Sequence, residues 1–217
     1  MGKNIGFTAG FQGKVDGFVY YKVNSVSYVR AKPNKSGGKR PSSQVQKINQ
    51  SKFGVASTFM KKFAPIVRFG FQNEVLGMRS AINVAVGYAQ SNAIIGLTSY
   101  YRIDPQRVLV SKGNLEGPME AKVAWKDDAT VFFTWKNNSF MGSAKPIDRV
   151  MLVLVHEKEN WQEYVLEGNG RLEGAQELKL PYPGKWQGQT YAYIAFSRYS
   201  PGKKRYWISN SEYLGMI

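Results

Sequence analysis

The sequence predicts an α+β chain in which an N-terminal β-hairpin and two helices precede an immunoglobulin- or fibronectin-like antiparallel β-sandwich. Three observations predict it. Apolar residues recur every three to five positions between residues 45 and 86 and then at alternate positions after residue 120, a change from helical to strand period. Short β-branched and aromatic runs separated by turn formers follow one another through the second half. The charge divides with the same boundary: residues 1–112 hold 17 basic and 3 acidic side chains, residues 113–217 hold 13 and 12. Turn formers at 111–118, Ser-Lys-Gly-Asn-Leu-Glu-Gly-Pro, mark the break, so two domains are expected, a basic hairpin-plus-helix unit at 1–112 and a sandwich at 113–217.

The hairpin comes first. Phe18-Val19-Tyr20-Tyr21-Lys22-Val23 and Val26-Ser27-Tyr28-Val29-Arg30 are strand-like runs joined at Asn24-Ser25. Glycines at 6, 10, 13 and 17 suit bends in a ribbon and disfavour a helix. A lone hairpin cannot bury its own faces, so Phe18, Tyr20, Tyr21 and Tyr28 are candidate contacts to another surface. A basic linker over 33–43 contains Gly37-Gly38 and Pro41. Ser42 or Ser43 then caps a helix to about Lys62, with Val45, Ile48, Phe53, Ala56, Phe59, Met60 and Phe63 as its apolar stripe. Pro65 stops it or starts the next element, and a second helical pattern runs over 67–86 through Phe71, Val75, Leu76, Met78, Ile82 and Ala85. Gly70, Gly77 and Gly87 weaken that second pattern by about 1 kcal/mol each relative to alanine. Val108-Leu109-Val110 reads as a strand.

In the second half the expected strands are 121–126, 130–135, 149–156, 162–166, 176–180, 190–198 and 206–209. Trp125 or Trp135 would supply the aromatic plug of the core. In 190–198, Ala192, Ile194 and Phe196 share one face, expected inside the sandwich; Tyr191, Tyr193 and Ala195 share the other, expected half-exposed.

The residues that catalysis needs are scarce. With no Cys and one His, disulfides, thiolate metal sites, thiol nucleophiles and multi-histidine centres are excluded. His156-Glu157-Lys158-Glu159 lacks the second histidine of a zinc-protease helix and reads as a solvated strand end. The glutamates between 157 and 177 read as exposed strand and loop positions and not as a glycosidase pair. Neither Ser36-Gly37-Gly38-Lys39 nor Gly202-Lys203-Lys204 fits a phosphate loop. The chain is therefore expected to be a non-enzyme, with no cofactor, no metal and no small-molecule substrate.

Charge points to partners. Arg30, Lys32, Lys35, Lys39, Arg40, Lys47 and Lys52 succeed one another with no acid among them. The expected role is a structural or protein-interaction module, docking on a protein partner or self-associating in an assembly. The alternative is sequence-tolerant nucleic-acid binding, with those seven cations on phosphates and the hairpin tyrosines on bases. No apolar run of signal-peptide or membrane-spanning length is present, which suggests a cytoplasmic protein or part of a phage-like assembly.

The segments Gly6-Phe7-x-Ala9-Gly10-Phe11-x-Gly13-Lys14-Val15-x-Gly17-Phe18-Val19, Tyr28-Val29-Arg30-Ala31-Lys32-Pro33, Ser43-Gln44 and Val110-Ser111-Lys112-Gly113-Asn114-Leu115 carry a resemblance. Through them the chain resembles a family of roughly 200-residue proteins from Bacteroidota with no assigned function. The N-terminal pattern alone resembles small phage and prophage structural proteins. That second resemblance implies an assembling structural protein and names no site residues.

Overall fold

The computed structural model describes residues 2–6, 10–23, 25–33, 41–97, 100–182 and 184–217. The chain forms two compact units, Met1–Gln46 and Lys47–Ile217.

The first unit is an antiparallel sheet of four strands, β1 (Gly2–Lys3), β2 (Gly13–Val15), β3 (Phe18–Val23) and β4 (Val26–Ala31), in the order β1-β4-β3-β2. The expected hairpin is its centre, paired from Phe18↔Ala31 to Val23↔Val26. Ser25 holds a positive φ of 64° in the connecting turn. The sequence pattern omits β1 and β2 because strands of two and three residues are too short to show a period. Gly13 adopts φ 145°, and a Cβ there would lie 3.5 Å from the Phe11 ring; this backbone conformation is one that other residues rarely adopt.

Helix α1 (Gln44–Lys61) opens with a reciprocal cap: the Gln46 N–H donates to Ser43 Oγ at 3.2 Å, and the Ser43 N–H donates to Gln46 Oε1 at 2.9 Å. The expected helix over 67–86 is instead two helices, α2 (Ala64–Gly70) and α3 (Ala81–Asn92). Pro65 stands in the first turn of α2, where its missing N–H costs nothing. Between the two helices Gly77 takes φ 63°, and Ser80 caps α3 by accepting from the Asn83 N–H. A small antiparallel pair follows, β5 (Ile94–Ile95) with β6 (Arg102–Ile103). Val108, Leu109 and Val110, expected as a strand, continue irregularly from a 3-10 turn at Pro105–Arg107.

The remaining strands are β7 (Lys122–Asp127), β8 (Thr130–Thr134), β9 (Arg149–His156), β10 (Gln162–Val165), β11 (Ala175–Lys179), β12 (Thr190–Ser200), β13 (Arg205–Ile208) and β14 (Glu212–Met216). They make two antiparallel sheets, β11-β8-β7 and β10-β9-β12-β13, with β14 also on β12. Val131, Phe133 and Leu178 of the smaller sheet meet Val150, Leu152, Leu154, Ala192, Ile194 and Phe196 of the larger, and Trp135 closes that core. The class is thus α+β with a β-sandwich.

The other face of the larger sheet is buried too. Met151, Val153, Val155, Tyr193 and Ala195 pack with Ala56, Met60, Phe63, Ile66, Val67, Phe71, Ala85 and Ala89 of the helical region. Tyr193 is fully buried and donates its hydroxyl to the Pro105 carbonyl, so this face is not the half-exposed one expected from its tyrosines. Each buried Val, Ile, Phe or Met among them contributes roughly 1.5–3 kcal/mol. The second unit therefore has three layers: helices, five strands, three strands.

This shared core corrects the expected division at 112/113. The turn-forming segment is bound into the second unit: Ser211 Oγ accepts from the Val110 N–H, Ser111 Oγ donates to the Ser209 carbonyl, and the Leu115 N–H donates to the Ile208 carbonyl. Residues 113–118 are therefore not a linker. Among the described residues no helix is long and apolar enough to cross a membrane.

Candidate functional site

Alternation along β3 and β4, with the cross-strand register, sorts the first sheet into two unlike faces. One carries Val15, Phe18, Tyr20, Val29 and Ala31, with Phe11 edge-on to Tyr20 at 5.5 Å between ring centres. Phe11, Val15 and Phe18 are 44%, 50% and 49% exposed, and no described residue of the first unit is buried. Among the described residues, Lys22 is the only cation that the register places on this face.

The opposite face carries Lys14, Val19 and Arg30 in one row, Tyr21, Tyr28 and Lys3 in the next, then Val23 and Val26. Tyr21 and Tyr28 are neighbours with ring centres 5.8 Å apart and planes within 23°. The Arg30 guanidinium lies 6.0 Å from the Tyr21 ring centre. Lys3, Lys14 and Arg30 are exposed and the two tyrosines are half-buried.

The four expected hairpin contacts thus divide, Phe18 and Tyr20 on one face, Tyr21 and Tyr28 on the other. Of the seven expected cations, the four described ones divide between the two units. Arg30 stands on the tyrosine face, while Lys32 lies past β4 with its N–H donating to the Gly17 carbonyl. Lys35, Lys39 and Arg40 lie outside the described residues. Lys47 and Lys52 belong to α1 in the second unit, where Lys47 is exposed and Lys52 Nζ sits 5.2 Å from the Tyr101 ring centre. Sequence reasoning missed Lys3 and Lys14. Their only signal is strand register, which brings residues far apart in the chain to one row.

The second unit offers two further places to look for chemistry. A cleft of about 510 Å³ beside α1 is lined by Gly54, Val55, Thr58, Phe59, Ile103 and Tyr191, with Lys62 and Glu157 as its charged groups. Lys62 Nζ donates to the Glu157 and His156 carbonyls, and burial pulls its pKa down while the Glu157 charge opposes that shift. Burial, then the charge and hydrogen bond of Glu157, push the Tyr191 phenol up to about 12. Lys62, Glu157 and Tyr191 are thus engaged with one another. His156 is buried and not the solvated strand end expected: its Nδ1 accepts the N–H groups of Lys158 and Glu159, and its ring meets Trp186 edge-on.

At one end of the sandwich, Arg171 and Asp148 are fully buried and paired, Nε to Oδ2, at 3.1 Å. Arg198 donates to the other carboxylate oxygen at 2.7 Å, and the Lys145 N–H donates to Oδ2. Arg171 also donates to the Glu116 and Gly117 carbonyls and to Asn138 Oδ1, and its guanidinium lies 3.8 Å from the Phe196 ring centre. Burial lowers its pKa, and Asp148 pushes the other way. This network ties together the segments that precede β7, β9 and β11. Both carboxylate oxygens of Asp148 accept hydrogen bonds in it, and the network acts as a brace.

Among the described residues no three His, Asp or Glu side chains gather in a way that could hold a metal ion. Among solved structures, the chain is similar to the fibronectin type III domain of human contactin 1 at 12% identity, over 49% of this chain and 72% of that one, with a TM-score of 0.28. A search of curated proteins finds no match. Strands β2 to β13, the three helices and most of β14 fall within residues 10–215, which match one family model, and the chain belongs to that family, DUF6266, a family of unknown function.

Proposed function

We propose that the chain is a non-enzymatic interaction module that contributes to an assembly by self-association through its first unit. The observation that carries this reading is the apolar face of Phe11, Val15, Phe18, Tyr20 and Val29 in a unit with no buried described residue. Two such faces stacked sheet on sheet would bury these side chains against their copies. With Lys22 as its one cation among the described residues, that face carries little of the charge by which two copies repel.

The second unit then serves as a self-contained support of immunoglobulin or fibronectin type. Its strand order favours this finer reading: taking β7, β8, β9, β10, β11, β12 and β14 as A, B, C, C′, E, F and G gives sheets E-B-A and C′-C-F-G. The non-enzymatic part is supported by Lys62, Tyr191, Arg171, Asp148 and His156 Nδ1, each held by partners within the second unit.

Light scattering across concentration and salt tests the proposal. The formal net charge of +15 opposes association at low salt, so oligomers are expected to grow in as salt rises. Replacing Val15 and Phe18 together by serine is expected to return the protein to monomer. A wild-type chain that stays monomeric at high concentration in high salt overturns the reading.

A further inference from the structure

We infer that the opposite face of the first sheet binds single-stranded nucleic acid in a sequence-tolerant way. The register collects Lys3, Lys14 and Arg30 around the adjacent rings of Tyr21 and Tyr28 on one side of a four-stranded sheet. No acid stands on that face among the described residues, and the sequence over 1–46 holds eight basic residues against one acid, Asp16. Four strands are about 15 Å across, so the three cations fall within reach of a few consecutive phosphates.

Two features separate this face from a plain basic patch. The tyrosines are neighbours in one cross-strand row, which holds the rings nearly parallel where unpaired bases can extend the stack. Arg30, beside Tyr21, offers both a charge for phosphate and a plane for a base. A duplex hides the faces of its bases, so it would engage the cations alone; a single strand engages both. Of the seven cations expected from the sequence, Arg30 stands on this face. The site lies across the sheet from the apolar face, so it stands or falls independently of the assembly.

Titrating the full chain into a fluorescent oligothymidylate and into a duplex of equal length, across a salt series, tests the inference. The single strand is expected to bind more tightly, with log affinity falling linearly against log salt. Lys3→Gln with Lys14→Gln is expected to reduce that slope by about 1.4, at roughly 0.7 for each phosphate that no longer meets a cation. Tyr28→Leu is expected to weaken binding about tenfold or more, while Tyr28→Phe, which keeps the ring, leaves it near wild type. The phenylalanine and glutamine variants keep the test decisive should the leucine variant disturb the sheet. Absence of binding at low salt, equal affinity for duplex, or an unchanged slope in the lysine double variant overturns the inference. So does binding to heparin or to phosphatidylserine vesicles as tight as to the single strand, which would make this a general polyanion surface. Replacing Val15 and Phe18 by serine is expected to leave single-strand binding in place, so the failure of either proposal is read separately.

Discussion

Arg171 is the residue on which one end of the sandwich depends. It is an ionised side chain with no solvent contact, held by one carboxylate, two carbonyls, an amide oxygen and a ring face. Taking two charges from water is expensive, and the pair is tolerable only when each group is fully partnered. Removing one partner is therefore worse than never having had the pair. Arg171→Ala is expected to destabilise the fold by about 3–5 kcal/mol, because Asp148 is left buried with one of its two arginines gone. Urea unfolding checks this, and a loss below about 1 kcal/mol would mean that the segments around the pair relax and admit water. No sequence pattern reveals this network, since its members are spread from Glu116 to Arg198 and nothing in their spacing links them.

At the scale of elements, the helical glycines show how packing overrides propensity. Alanine is the better helix former by about 1 kcal/mol wherever space allows. At Gly54 in α1 a Cβ would meet nothing within 4 Å, and Gly54→Ala is expected to raise stability by about 0.5–1 kcal/mol. At Gly70, the last residue of α2, a Cβ would fall 2.4 Å from the Val110 carbonyl oxygen and 2.7 Å from Ser111 Cβ. The Gly70 carbonyl also accepts the Lys112 N–H at this crossing. Gly70→Ala is expected to cost about 1–3 kcal/mol despite its better propensity. Thermal or urea midpoints for the two variants should move in opposite directions; a shift of both the same way would contradict the close approach. The same scale explains the divided helix over 67–86, where the apolar period continues while Gly77 and the Ser80 cap restart the chain.

For the whole molecule, the division after Gln46 has a direct consequence. Both buried clusters draw every member from residue 47 onward. A chain of residues 41–217, which keeps the Ser43 cap of α1, is expected to unfold with the same urea midpoint as the core of the full protein. It should lose both self-association and single-strand binding. Loss of near-ultraviolet dichroism in the shortened chain would show instead that the sandwich needs the first sheet to fold.

Much of this was legible in the chain itself. Alternation and turn formers located most strands after residue 120, and the capped α1 and the central hairpin followed from local chemistry alone. Even the burial of both faces of β9 and β12 had a signal, since Val150 to Val155 and Ala192 to Phe196 are unbroken apolar and aromatic runs, as strands covered on two sides require. What only the tertiary structure decided was partnership across distance: the helices joined to the sandwich, the Arg171 brace, and the row that sets Lys3 beside Tyr28. Local sequence fixes period and turn because those depend on neighbours in the chain. Register and packing depend on which distant surfaces meet, and one strand's sequence does not name the strand beside it.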